Sequence, residues 1–65
     1  MLRNLYAEQA RLGKSDQDMA DYLGITRQTY IAKKHSGNFS FPQIKSLLML
    51  FNVSFEYLFD TKETS

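Results

Sequence analysis

The side chains able to do chemistry are few, and they do not converge on a reaction. His35 is the one histidine among 65 residues, and there is no cysteine. It lacks the second imidazole, thiol or carboxylate that a metal centre or proton relay needs, and reads as a surface residue near a helix end. Asp16, Asp18 and Asp21 form a small acidic cluster. At a helix start such residues cap the chain and favour its positive terminus, a better account than a cation site. No glycine loop is built to cradle a phosphate, and no dry pocket is in prospect for the scattered carboxylates. The expectation is no enzyme, no cofactor and no small-molecule substrate. What remains is recognition. The net charge of +1 is low for a nucleic-acid binder, but its distribution is informative: from Tyr22 to Phe55 there is no Asp or Glu, while Arg27, Lys33, Lys34 and Lys45 are all cationic.

Those cations need a support, and Asp16 to Lys34 spells one: two short amphipathic segments joined by a glycine turn, D-Q-D-M-A-D-Y-L-G-I-T-R-Q-T-Y-I-A-K-K. Ala20, one helical turn before Gly24, allows close backbone approach. Gly24 supplies the left-handed conformation that a sharp helix exit requires. Ile25 precedes a new N-cap, Thr26, and can staple onto Tyr30. The pattern predicts a helix-turn-helix over about residues 16–35.

Around it the sequence predicts an all-α, compact five-helix domain spanning residues 1–65. Leu2, Leu5, Tyr6 and Leu12 mark the stripe of a first helix from about Leu2 to Leu12, ended by Gly13. Ser15 opens a second helix with a capping-box-like S-D-Q-D, running through Leu23 with Met19, Ala20 and Leu23 inward. The third helix lies between Thr26 and Gly37; Tyr30 is its core anchor, Ile31 lies beside it, and most of its surface is left outward. Ser40, Pro42 and Gln43 start a fourth, with Phe39 stapled to Ile44 and a stripe of Ile44, Leu47, Leu48 and Phe51. Asn52 terminates it, Ser54 caps a short fifth helix containing Tyr57, Leu58 and Phe59, and Thr61 to Ser65 read as a polar tail.

A chain of this size buries only about 60% of its unfolded surface, and without cysteine no disulfide can help. The core must be hydrophobic and aided by a partner subunit. The longest apolar run, Leu47 to Phe51, is too short to cross a bilayer, and no signal peptide is apparent. A cytoplasmic protein, in the bacterial cytoplasm or nucleoid, is expected, with no membrane partner.

The Ala20 to Gly24 spacing, the large apolar Tyr30 and the closing N-V-S-F-E-Y-L-F segment, Asn52 to Phe59, resemble the Cro/CI-type (XRE-like) helix-turn-helix family of phage and bacterial regulators, over nearly the whole chain. The resemblance implies a sequence-specific, double-stranded DNA-binding transcriptional regulator, a phage or prophage-type repressor reading the major groove with its third helix. Base contacts are then expected from Arg27 and Gln28, from Ile31 or Ala32, and from Thr29. Arginine matches guanine O6 and N7, glutamine matches adenine N6 and N7, and a small apolar side chain suits the thymine methyl. Phosphate contacts are expected from Gln17, Thr26, Lys33, Lys34, Asn38 and Lys45. Asp16 replaces a usual glutamine at the head of the second helix, where a carboxylate would repel phosphate and Gln17 take over. Gln9 and Lys34 replace a frequent Arg to Glu tie, leaving the lysine for solvent or phosphate.

Met49, Leu50, Phe55 and Phe59 exceed what so small a core absorbs. They are expected to form a homodimer interface that sets two reading helices about 34 Å apart on a palindromic operator; the alternative is that some of these aromatics finish the core. An antitoxin or restriction-system controller shares the same physics. The rival from another class is a protein-interaction module on the same scaffold without DNA binding.

Overall fold

The computed structural model describes residues 2–60, which form five helices: α1 Arg3–Arg11, α2 Asp16–Leu23, α3 Arg27–Ser36, α4 Phe41–Phe51 and α5 Phe55–Leu58. The expected polar tail at 61–65 lies outside the described residues. Each of the last four helices starts on a hydroxyl cap. Ser15, Thr26, Ser40 and Ser54 each accept a hydrogen bond from the backbone N–H three residues on, and Ser15 and Ser40 complete capping boxes with Asp18 and Gln43.

The junction between α2 and α3 follows from two residues. Gly24 adopts φ 72°, and the amides of Gly24 and Ile25 bond back to the carbonyls of Asp21 and Ala20 at 3.2 and 3.0 Å. A Cβ at Gly24 would meet nothing within 4 Å, so the dihedral angle alone calls for glycine. Ala20 is wholly buried, and α2 makes its most extensive helix pairing with α3. Asn52, at φ 56°, ends α4 in the same left-handed conformation.

The core comprises Leu2, Leu5, Met19, Ala20, Tyr30, Phe39, Leu47, Phe51 and Leu58, with Leu23, Ile25, Ile44, Leu48, Leu50, Val53 and Phe59 packed against it. Full burial of a Leu or Met side chain contributes about 1.5–3 kcal/mol, so these few side chains supply most of the cohesion of a domain without disulfides. Two expectations are corrected. Leu12, just past the end of α1, is 37% exposed and outside the core, and beyond Leu5 the buried face of this helix is polar, formed by Glu8 and Gln9. Phe59 lies beyond α5 and is a partly buried core neighbour: its ring meets Phe39 edge-on at 6.0 Å and stacks on Phe55 at 5.0 Å.

Candidate nucleic-acid interface

Helix α3 divides into two faces. Tyr30 and Lys34, one turn apart, point inward and are buried; Arg27, Gln28, Thr29, Ala32 and His35 are exposed, and Ile31 and Lys33 are half-buried between them. The N-terminal turn is held by Thr26, whose Oγ1 accepts from the Thr29 amide at 3.1 Å and donates to the Thr29 hydroxyl at 2.7 Å. Thr29 keeps its own hydroxyl proton for an outside acceptor. The side chains of Arg27 and Gln28 make no hydrogen bond or ion pair among the described residues. Five donors on a planar guanidinium and a carboxamide with both donor and acceptor thus stand side by side in solvent.

The expected phosphate contacts separate on inspection. Lys45 is exposed, its ammonium 5.8 Å from the centroid of the Phe41 ring, and Asn38 is exposed in the loop after α3. Lys33 donates to the Asn38 carbonyl at 3.1 Å, steadying that loop, and Gln17 donates to Asp21 at 2.9 Å along the surface of α2. Thr26 is occupied as a cap. Asp18 is likewise engaged at the head of α2, where it accepts from the Ser15 amide at 3.0 Å.

Lys34 overturns its expectation. It is only 6% exposed, and its ammonium lies 2.6 Å from Asp16 Oδ1 and 3.4 Å from Gln9 Oε1, with the Tyr6 ring centroid at 4.2 Å. It is therefore sealed from a phosphate. The physical reason is helical phase: four residues after the core anchor Tyr30, Lys34 must follow it inward. Asp16 is corrected with it, because its carboxylate is ion-paired rather than left to repel a phosphate.

These side chains form one polar junction beneath α3. Gln9 Oε1 accepts from the Tyr30 hydroxyl at 2.6 Å, and Gln9 Nε2 donates to Asp16 Oδ1 at 3.0 Å, so α1, α2 and α3 are tied at a single point. The Gln9 amide, then the Lys34 ammonium, hold the Asp16 carboxyl below its usual pKa. Burial, with Asp16 nearby, pushes the Tyr30 hydroxyl well above its usual value. No buried side-chain nitrogen or oxygen among the described residues lacks a partner.

A second tie, absent from the sequence reading, joins α1 to α5. Tyr57 donates to Glu8 Oε2 at 3.0 Å, Arg11 bonds Glu8 Oε1 at 2.6 and 2.8 Å, and Asn4 donates to the Tyr57 carbonyl at 2.6 Å. Arg11 leads in holding the Glu8 carboxyl below its usual pKa. Only the placement of Glu8 three residues after Leu5 pointed to its inward face.

Of the four residues expected at a dimer interface, Met49 is 77% and Phe55 49% exposed, whereas Leu50 and Phe59 are partly buried against the core. The four are thus divided between surface and core. Among the described residues no helix is long and apolar enough to cross a membrane. Comparison with protein-family models, curated proteins and solved structures finds no match to this chain.

Proposed function

We propose that this chain is a sequence-specific double-stranded DNA-binding transcriptional regulator that reads the major groove with α3. The observation that carries the reading is the unpartnered, exposed pair Arg27 and Gln28 in the first turn of a helix that Tyr30 and Lys34 lock into the domain. Base edges in the major groove present acceptors and donors matched to these two side chains, and a helix on a rigid support fits the groove's width. Ala32 and the half-buried Ile31 extend the same face with apolar surface for a thymine methyl. Lys45 and Asn38 serve the phosphates, joined by Gln17 at the head of α2. The resemblance to Cro/CI-type regulators favours a repressor of phage, prophage or bacterial origin acting as a homodimer through Met49 and Phe55.

The rival is a protein-interaction module. It draws support from the exposure of Met49, Phe55 and Phe41 and from a net charge of only +1. Titration of a random-sequence duplex at low and moderate salt separates the two. A groove binder shows affinity that falls steeply as salt rises, even without its operator. No binding at low salt would leave the interaction module as the better account.

A further inference from the structure

Three residues share the outward stripe of α3. At about 100° per residue, Gln28, Ala32 and His35 fall within about 60° of one another, on the side of the cylinder opposite Tyr30. All three are exposed. Ala32 ends in a methyl group, so the middle of the stripe stands low between two polar side chains set about 10 Å apart along the axis.

The last turn of α3 carries Lys33, Lys34 and His35, and the two lysines are already engaged. Lys34 is sealed against Asp16 at 2.6 Å, and Lys33 donates to the Asn38 carbonyl at 3.1 Å. His35 makes no hydrogen bond or ion pair among the described residues. No Asp or Glu occurs between Tyr22 and Phe55. On α2, Asp16 is held by Lys34 and Gln9, Asp18 by the Ser15 amide and Asp21 by Gln17. On α1, Glu8 is bonded to Arg11 and Tyr57, and the Tyr6 ring lies against the Lys34 ammonium. Helix α4 contributes one charge, Lys45, beside Phe41.

Length then decides what this imidazole meets. With its N-terminal residues on base edges, a helix of 10 residues, about 15 Å long, outruns a groove about 8.5 Å deep and about 12 Å wide. Its last turn stands at the rim, among phosphates. We propose that His35 is a phosphate contact of the reading helix, its imidazole N–H meeting a backbone oxygen at the far end of the stripe from Gln28. The inference rests on the assignment of α3 as the reading helix. It adds a property that a lysine contact lacks: histidine gains its positive charge as pH falls from about 8 to about 5. A phosphate favours the charged imidazole, so binding takes up a proton and tightens toward lower pH.

Fluorescence anisotropy tests this with a random-sequence duplex and with duplexes selected by the wild-type chain, at about pH 5.5 and about pH 7.5 and constant ionic strength. Wild type, His35→Gln and His35→Arg are compared, with circular dichroism to establish folding at both pH values. Glu8, Asp16 and Asp18, held below the usual carboxylate range, keep their charge throughout this window. Wild type is expected to bind about fivefold more tightly at the lower pH, on every duplex alike. His35→Gln is expected to lose that gain and, at the lower pH, to reduce the salt slope by about one. His35→Arg, charged at both pH values, is expected to exceed wild-type affinity at the higher one. Wild-type affinity indifferent to pH, a gain that persists in His35→Gln, or a loss in that variant confined to one base pair overturns the phosphate contact. Failure of the wild type to bind any duplex at low salt and either pH overturns instead the DNA-reading assignment beneath it.

Discussion

The inner and outer faces of α3 carry the same kinds of residue to opposite ends. Lys34, on the inner face, is sealed against Asp16, Gln9 and two tyrosine rings, whereas Arg27, on the outer face, touches no polar group of the described chain. Neither residue type nor local charge distinguishes them. Their place along the helix does: Arg27 and Lys34 have a similar phase, three residues before and four after Tyr30, but Lys34 lies where Asp16 and Gln9 meet α3, whereas Arg27 is its first residue and stands exposed beside Gln28. A cation one turn beyond a core anchor is structural until its exposure shows otherwise, and a basic run read along the sequence overstates the surface available to a polyanion.

This contrast breaks most visibly at the junction. Lys34→Ala removes one partner of a largely buried ion pair and is expected to cost about 3 kcal/mol of stability. For a domain of this size that lowers the melting temperature by more than about 10 °C, measurable by thermal denaturation followed by circular dichroism. The same truncation at Arg27 should change stability by no more than about 0.5 kcal/mol. Equal effects at the two sites would erase the distinction between the faces.

On the outer face the expected losses are in recognition. Arg27→Ala and Gln28→Ala should each remove about 1–3 kcal/mol of discrimination at a particular base pair, read from affinities for single-position duplex variants. Lys45→Ala should weaken all sequences alike and reduce the salt slope by about one. Between the two faces stands the turn that sets them: Gly24→Ala forces a side chain into left-handed backbone at a cost of about 1–2 kcal/mol, despite the open space around it. Denaturant unfolding of the variant measures that cost; an unchanged midpoint would show that α2 and α3 tolerate another connection.

The smallest expected effect sharpens the comparison through pH. Asp16 has its folded-state pKa lowered, by Gln9 first and Lys34 second, so its contribution is fully present above the usual carboxylate range and is lost as pH falls through the folded-state value. Glu8 and Asp18 are lowered as well and act in the same direction, through Arg11 with Tyr57 and through Ser15 respectively. Stability should therefore decline below about pH 4. In Asp16→Asn the decline should be shallower by the share of this one group, as pH-dependent melting curves would reveal.

Much of the fold was legible because it is decided locally. A hydroxyl before a helix and a glycine or asparagine after it act on backbone groups within a few residues, which is why Thr26, Gly24, Gly37, Ser40 and Asn52 mark the ends observed. The outward position of Gln28 followed from its phase, two residues before Tyr30, and the exposure of Arg27 goes with its place as the first residue of α3. The Lys34 to Asp16 pair was not legible as a pair, since it joins side chains brought together only when α3 folds back on α2. The inward phase of Lys34 was nevertheless available from Tyr30, as that of Gln9 was from Leu5 four residues before it. Leu12 and Phe59 were misplaced for a related reason. Each lies at or beyond the end of its helix, where a stripe read from periodicity no longer says which neighbour will cover it.

The central claim is that the outer face of α3 meets duplex DNA, and salt dependence tests it most directly. Fluorescence anisotropy of a labelled random-sequence duplex, titrated with the wild-type chain at a series of salt concentrations, should give a linear fall of log affinity with log salt, its slope reduced by about one in Lys45→Ala. Affinity that is absent at the lowest salt, or that does not change with salt, would contradict the account.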